Sequence, residues 1–306
     1  MTSSLNTHPV RIGLDLGGTK IEIVALDPEG REMVRRRVPT PKEDYRAILA
    51  TVVALVRETE EALGRATVGI GTPGSASRAS GLLRGSNSVC LNGQPLQRDL
   101  EQLLDRPIHL TNDANCFALS EASDGAGAGA GVVFGVIIGT GVGSGIVVHG
   151  RVLEGPNGIG GEWGHNPLPW PTDAERPGSR CFCGQHGCIE TFVAGPGMVR
   201  DHLAHSGTHL DPPEIVARAA AGDAACEATL ARYEERLARS LAHVINILDP
   251  DVVVLGGGMS NIARLYDNVP RYLGDWVFSD RVDTRLVQHR HGDSSGVRGA
   301  AWLGAG

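Results

Sequence analysis

Three thiols fall within eight residues at Cys181-Phe182-Cys183-Gly184-Gln185-His186-Gly187-Cys188, a spacing suited to metal binding. In a chain without secretory features such a cluster favours zinc over disulfides, and a Cys-x-Cys bridge would be strained. Three thiolates need one more ligand for a closed, tetrahedral, structural site. His186, inside the cluster, and His165, upstream in Gly161-Glu162-Trp163-Gly164-His165, both qualify, and spacing alone does not separate them. Cys90, Cys116 and Cys226 are isolated and read as small core residues.

Acid–base chemistry centres on Asp113, in Leu110-Thr111-Asn112-Asp113-Ala114-Asn115-Cys116, where the pattern predicts a strand meeting a helix. A carboxylate there can be a helix cap and nothing more. Asn92, Glu162, His165 and Glu190 add the side chains a sugar needs, because each hydroxyl both donates and accepts and favours planar polar partners.

Two glycine turns offer phosphate chemistry: Asp15-Leu16-Gly17-Gly18-Thr19-Lys20 and Gly139-Thr140-Gly141-Val142-Gly143-Ser144-Gly145. Backbone N–H groups approach phosphate oxygens where no Cβ intervenes, and Thr or Lys adds a donor or a charge. Neither is a Walker loop, since Gly18-Thr19-Lys20 reverses the required order and lies between two strands. One such turn alone reads as a hairpin; two matched copies plus Gly256-Gly257-Gly258 after an apolar strand read as a nucleotide site. Two other motifs carry less weight. Gly69-Ile70-Gly71-Thr72-Pro73-Gly74 does not open a helix, and no histidine follows Ser294 in Gly292-Asp293-Ser294-Ser295-Gly296, as a nucleophile elbow requires.

These residues need a frame. Arg11 to Leu26 reads as strand, turn, strand, followed by a third strand over Arg31 to Val38, and Val132 to Leu153 repeats the plan about 120 residues later. With 306 residues, the chain exceeds the usual size of a single core, so two domains of shared design are expected: 1–117 plus 291–306, and 118–290. Helical spacing marks Tyr45 to Leu63 and Ala225 to Leu248; Val252 to Leu255 is a buried strand, and Ser295 to Leu303 suits a docking helix. Of 42 glycines, 15 fall between residues 125 and 164; of that stretch, Gly125 to Gly131 reads as a flexible connection. Residues 125–150 carry no charge, yet ten glycines and β-branched runs favour strands over a membrane helix. The formal charge is −7 and no Lys/Arg block exceeds Arg35-Arg36-Arg37, which argues against nucleic-acid and anionic-lipid partners. Met1 to Pro9 lacks an apolar leader, so a cytoplasmic location is expected.

As an ordered set, these motifs resemble the ROK family of sugar kinases, within the actin-like ATPase fold. The resemblance implies an α/β, ribonuclease H-like duplicated fold with two domains and a cleft between them. It implies ATP, Mg²⁺ and structural Zn²⁺, with His165 as the zinc ligand beside Cys181, Cys183 and Cys188. The nucleotide would rest on Asp15, Gly17, Gly18, Thr19, Lys20, Gly139, Thr140, Gly141 and Gly143, with Gly257 and Gly258 on the adenosine side. Asp113 would be the base, and Asn92, Asn112, Glu162, His165 and Glu190 would hold the sugar. Ser86 to Leu96, His165 to Trp170 and His291 to Gly296 most resemble bacterial fructokinases of the manno(fructo)kinase type, implying conversion of D-fructose to fructose 6-phosphate. N-acetylglucosamine, mannose and glucose kinases are the alternatives, and a sugar-sensing binding protein is the non-kinase one. A homodimer is implied. Residues 166–180 form a long insertion, and only about ten residues precede the first strand, leaving no room for the DNA-binding domain of the family's repressors.

Overall fold

The computed structural model describes residues 10–41, 43–86 and 88–305. The expectation for Met1 to Pro9 lies outside them, as does Asn87 of the Ser86 to Leu96 segment. The chain opens with a meander, β1 (Arg11–Leu16), β2 (Lys20–Leu26) and β3 (Glu32–Pro39). Helix α1 (Tyr45–Leu63), begun by the Asp44 side chain on the Ala47 N–H and ended at Gly64, leads to β4 (Thr67–Thr72). A small hairpin of β5 (Ser75–Ala76) and β6 (Leu83–Arg84), then α2 (Leu96–Leu104), precede β7 (His109–Asn112). These strands form a five-stranded sheet ordered β3-β2-β1-β4-β7, antiparallel within the meander and parallel beyond it.

The plan then repeats. After α3 (Asp113–Ser123) come β8 (Val132–Ile138), β9 (Val142–Val148) and β10 (Arg151–Val152). A helical block of α4 (Ile189–Val193), α5 (Gly195–Ser206), α6 (Pro212–Ala220) and α7 (Ala224–Leu248) follows, then β11 (Val252–Gly256), α8 (Leu265–Leu273), β12 (Arg285–Gln288) and α9 (Ser295–Trp302). The second sheet, β10-β9-β8-β11-β12, has the strand order and directions of the first. This is the expected actin-like, duplicated α/β fold. Each sheet covers its own apolar core, one built on Ile12, Leu14, Ile23, Val52 and Ile70, the other on Phe134, Val136, Leu237, Leu241 and Leu255.

Helices α3 and α9 join the two halves. α3 packs on β8 and β9, α9 packs on β1 and β4, and the two helices pack on each other. At their crossing a Cβ on residue 299 would lie 1.7 Å from Cys116 O, so only glycine fits there. The domain boundary expected at residue 117 therefore falls inside a helix that both halves share.

Gly125 to Gly131 is not a loose connection. It runs in successive turns, the Ala126 N–H donates to buried Glu121 (2.9 Å), and Ala126 and Ala130 pack against an apolar cluster, which fixes the segment. Residues 132–148, within the uncharged stretch, form β8 and β9, and among the described residues no helix is long and apolar enough to cross a membrane.

Candidate active site

Asp113 is the first residue of α3. Asn112 caps the helix, its Oδ1 accepting the Asn115 N–H at 2.7 Å, while Asp113 Oδ1 accepts the Ala114 N–H at 2.8 Å. The carboxylate opens onto a cavity of about 600 Å³ that Asp15, Gly17, Gly18, Gly257 and Gly258 also line. The surrounding protein desolvates Asp113 and raises its carboxyl above the usual range, against the Ala114 N–H. Asp15, at the end of β1, is pushed up to about 6 by burial first, then by the charges of Asp113 and Glu22. Burial raises both carboxyls, and the charge of Asp113 raises Asp15 further; two carboxylates facing one cavity are a donor set that fits a hydrated divalent ion.

The glycine turns are placed differently from one another. Gly17 and Gly18 line the cavity. Gly139 and Thr140 line a second, more apolar cavity of about 750 Å³, walled by Val199, Val216, Met259 and Ile262. Gly258 and Asn261 line both, so the two cavities adjoin: a polar compartment beside an apolar one of a size for a purine. The apolar wall is invisible in the motifs, because it is drawn from ordinary residues of α5, α6 and the turn after β11. Gly141 has a packing reason, since a Cβ there would stand 2.8 Å from Glu190 Oε2. That oxygen accepts the Val142 N–H at 2.9 Å, which ties Glu190 to the turn. Gly143 lies over the first turn of α3, near Ala114.

Three expected contributors point elsewhere. Lys20 does not line the cavity; its ammonium lies 3.6 Å from buried Glu22, which Arg35 and Arg37 also hold. Thr19 is exposed, and its carbonyl accepts the Thr40 N–H. Asn92 is occupied within its own loop: its Oδ1 accepts the Ser86 N–H at 2.9 Å and its Nδ2 donates to Ser86 O at 2.8 Å. Ser294 Oγ accepts from Arg35 at 3.0 Å, and a guanidinium cannot take a proton from it, so no hydrolase nucleophile is formed.

The thiol cluster closes around His165, not His186. The ligand atoms of His165, Cys181, Cys183 and Cys188 all lie within 4.8 Å of one another, whereas His186 is exposed. Cys183 Sγ and Cys188 Sγ are 3.7 Å apart, and Cys181 Sγ is 3.5 Å from His165 Nδ1. A tetrahedral zinc ion, with bonds of about 2.3 Å to sulfur and about 2.0 Å to nitrogen, demands edges of about 3.8 and 3.5 Å. The site therefore fits zinc, and with Nδ1 turned to the thiols, Nε2 of His165 is free for another partner. Glu162, exposed, opens the turn that carries His165. Glu190 Oε1 lies 3.7 Å from Cys181 Sγ, so one carboxylate touches both the thiol cluster and the second glycine turn.

The 166–180 insertion is anchored on α7. Glu175 is buried against Arg236 (2.7 Å) and Arg239 (2.8 Å), and Arg239 also donates to Trp170 O (2.7 Å). Glu154, after β10, accepts from Thr111 of β7 (2.9 Å) and pairs with Arg78 of the β5–β6 hairpin. This strap between the halves was not marked by any motif.

Comparison with known proteins agrees with this architecture. The chain is 41% identical over 302 residues, covering 95% of it and 98% of the relative, to an N-acetyl-D-glucosamine kinase of Escherichia coli O139:H28. The structure of a ROK hexokinase from Thermus thermophilus superimposes with a TM-score of 0.83 at 33% identity, covering 97% of this chain and 98% of that one. A ROK family glucokinase from Streptomyces griseus in complex with glucose and AMPPNP gives 0.72 at 27% identity, covering 97% and 99%. Residues 11–306 match the sequence profile of the ROK family, to which the chain belongs.

Proposed function

We propose that the protein is a sugar kinase that transfers the γ-phosphate of ATP to the primary hydroxyl of N-acetyl-D-glucosamine. The observation that carries the reading is the pairing of Asp113 and Asp15 in one cavity, both raised, beside the first glycine turn and Gly257-Gly258. Phosphoryl transfer asks a protein for positioning, charge neutralisation and one proton acceptor. Asp113 accepts the sugar hydroxyl's proton, and its raised carboxyl is better matched to that task than an ordinary aspartate. Asp15 would hold hydrated Mg²⁺, which would supply positive charge against the developing negative charge of the phosphates. The amides of Gly17, Gly18, Thr19, Gly139, Thr140, Gly141 and Gly143 cradle the phosphates, with Gly257 and Gly258 against the adenosine. Asn112, Glu162, His165 and Glu190 hold the sugar, while Asn92, both of its ends taken by Ser86, shapes its own loop. His165 Nδ1 and the thiolates of Cys181, Cys183 and Cys188 would hold zinc, which would fix the ring and leave Nε2 to a sugar hydroxyl; about one zinc per purified chain is the expected content. The two halves close over the substrates and exclude water that would otherwise accept the phosphoryl group.

The choice of sugar rests on the similarity to an N-acetyl-D-glucosamine kinase along nearly the whole chain. This displaces the fructose expectation, which remains as the second reading on the strength of His165-Asn166-Pro167 and the fructokinase-like segments. A coupled ADP-release assay across N-acetylglucosamine, N-acetylmannosamine, glucose, mannose and fructose tests both. The highest kcat/KM is expected for N-acetylglucosamine; a preference for fructose would restore the first expectation. Binding of ATP and sugar without ADP release would point instead to a sugar-sensing protein.

A further inference from the structure

The chain returns from the second sheet to the first through residues 289–294, and His289 lines the same cavity as Asp15, Asp113 and Gly258. Its backbone is fixed at the end of β12, the His289 N–H donating to Leu255 O at 2.9 Å. Its ring is fixed as well, because the Gly292 N–H donates to Nδ1 at 2.8 Å. A backbone N–H can only donate, so Nδ1 is an acceptor and the hydrogen of the neutral ring sits on Nε2. The residue that supplies this N–H has φ +60°, a conformation natural to glycine, so the tautomer is set by the turn itself.

The rest of the cavity gives that donor a purpose. Among its described lining residues there is no lysine or arginine, and its ionisable side chains other than His289 are the two aspartates. Lys20, the cation nearest in sequence to the first glycine turn, is paired with Glu22. An anionic chain of phosphates entering here meets backbone amides, two carboxylates and one oriented ring N–H. Asn261, which accepts from Gln288 Nε2 at 3.1 Å, stands where this cavity joins the apolar one, so His289 lies on the stretch that a nucleotide spanning both would cross.

Resting on the nucleotide reading above, we propose that His289 is a phosphate-binding residue that donates its Nε2 hydrogen to a phosphate oxygen of ATP. The variants His289→Asn and His289→Ala separate this from a purely structural role. Asparagine offers an acceptor to the Gly292 N–H near the place of Nδ1 but has no group at the place of Nε2, while alanine removes both.

Calorimetric titration with a non-hydrolysable ATP analogue plus Mg²⁺, with adenosine alone, and with sugar gives the binding readout; thermal unfolding without ligand gives the structural one. Both variants are expected to bind the analogue roughly tenfold or more weakly. Adenosine and sugar affinities should stay at the wild-type level, and the Asn variant should melt with the wild type. If His289→Asn binds the analogue as the wild type does, the ring serves only the Gly292 turn and the proposal falls. An equal loss of adenosine binding would overturn it too, by placing the effect on the base. If the wild-type protein itself binds no analogue, the nucleotide reading fails and takes this inference with it.

Discussion

Two groups of acids, one under the 166–180 insertion and one in the cleft, sit in opposite electrostatic states. Glu175 and Asp201 are held below the ordinary carboxylate range: burial works against their charge, but Arg236, Arg239 and Arg232 more than offset it, bringing Glu175 down to about 2. Asp15 and Asp113 are raised, chiefly by burial, and among the described residues that line their cavity there is no guanidinium. The first group is complete within the chain and holds the insertion to α7. The second has no such partner in its cavity lining, and on the proposed function it is left for Mg²⁺ and substrate, which would separate an anchor from a site when both are made of aspartate and glutamate.

The strongest way to break this contrast is Asp113→Asn. Turnover should fall 10²–10⁴-fold, the contribution of a positioned general base, while calorimetric affinities for sugar and nucleotide stay near the wild type. Retention of most of the turnover would reduce Asp113 to the first residue of a well-capped helix.

On the other side, Glu175→Gln should leave kcat/KM unchanged and cost about 2 kcal/mol in denaturant unfolding, because it removes the charge that Arg236 and Arg239 share, leaving Arg239 to Glu235 and two carbonyls. The pH dependence follows from the lowered carboxyl. A group whose folded pKa is depressed contributes stability above its unfolded pKa, near 4.5, and loses it as pH falls toward about 2. The wild type should therefore shed stability between about pH 5 and pH 2 more steeply than Glu175→Gln. Identical acid profiles would show that Glu175 is not the anchor.

Asp15 carries the opposite sign. Its folded pKa is raised from 3.8 to about 6, so it costs the unliganded protein stability that declines as pH rises through that interval and stays lost at neutral pH. Asp15→Asn should raise the stability of the unliganded protein at pH 7 by on the order of 2 kcal/mol, once screening by solvent in the cleft is allowed for. The same change should lower Mg²⁺-dependent turnover. A variant that is both less stable and fully active would place Asp15 with the anchors.

The sequence was legible where function and structure are local. The two meanders, the α1 limits and the positions of Asp113, Gly17 and Gly139 follow from alternation, caps and turns within a few residues. Legibility failed where partners come from afar. Glu175 meets Arg236 and Arg239 more than sixty residues later, so nothing in the insertion announces its anchor. His165 and His186 are equivalent on spacing, and only the folding of the Trp163–His165 turn over the cysteines separates them. Asn92 reads as a free amide until Ser86 is seen to use both of its ends.

The smallest effect is the most discriminating, because Asn112 stands between the two kinds of residue. Its Oδ1 is committed to the Asn115 N–H, as in an anchor, while its Nδ2 is proposed to serve the sugar beside Asp113. Serine can keep the cap and lacks the amide; alanine lacks both. Asn112→Ala should cost about 1 kcal/mol of stability, and Asn112→Ser only a few tenths, since serine caps helices nearly as well. If the amide also binds sugar, both variants should raise the sugar KM by a similar factor, leaving the KM for ATP alone. If KM instead tracks stability, rising in alanine and recovering in serine, then Asn112 positions Asp113 through the helix terminus and belongs with Glu175 rather than with the cleft.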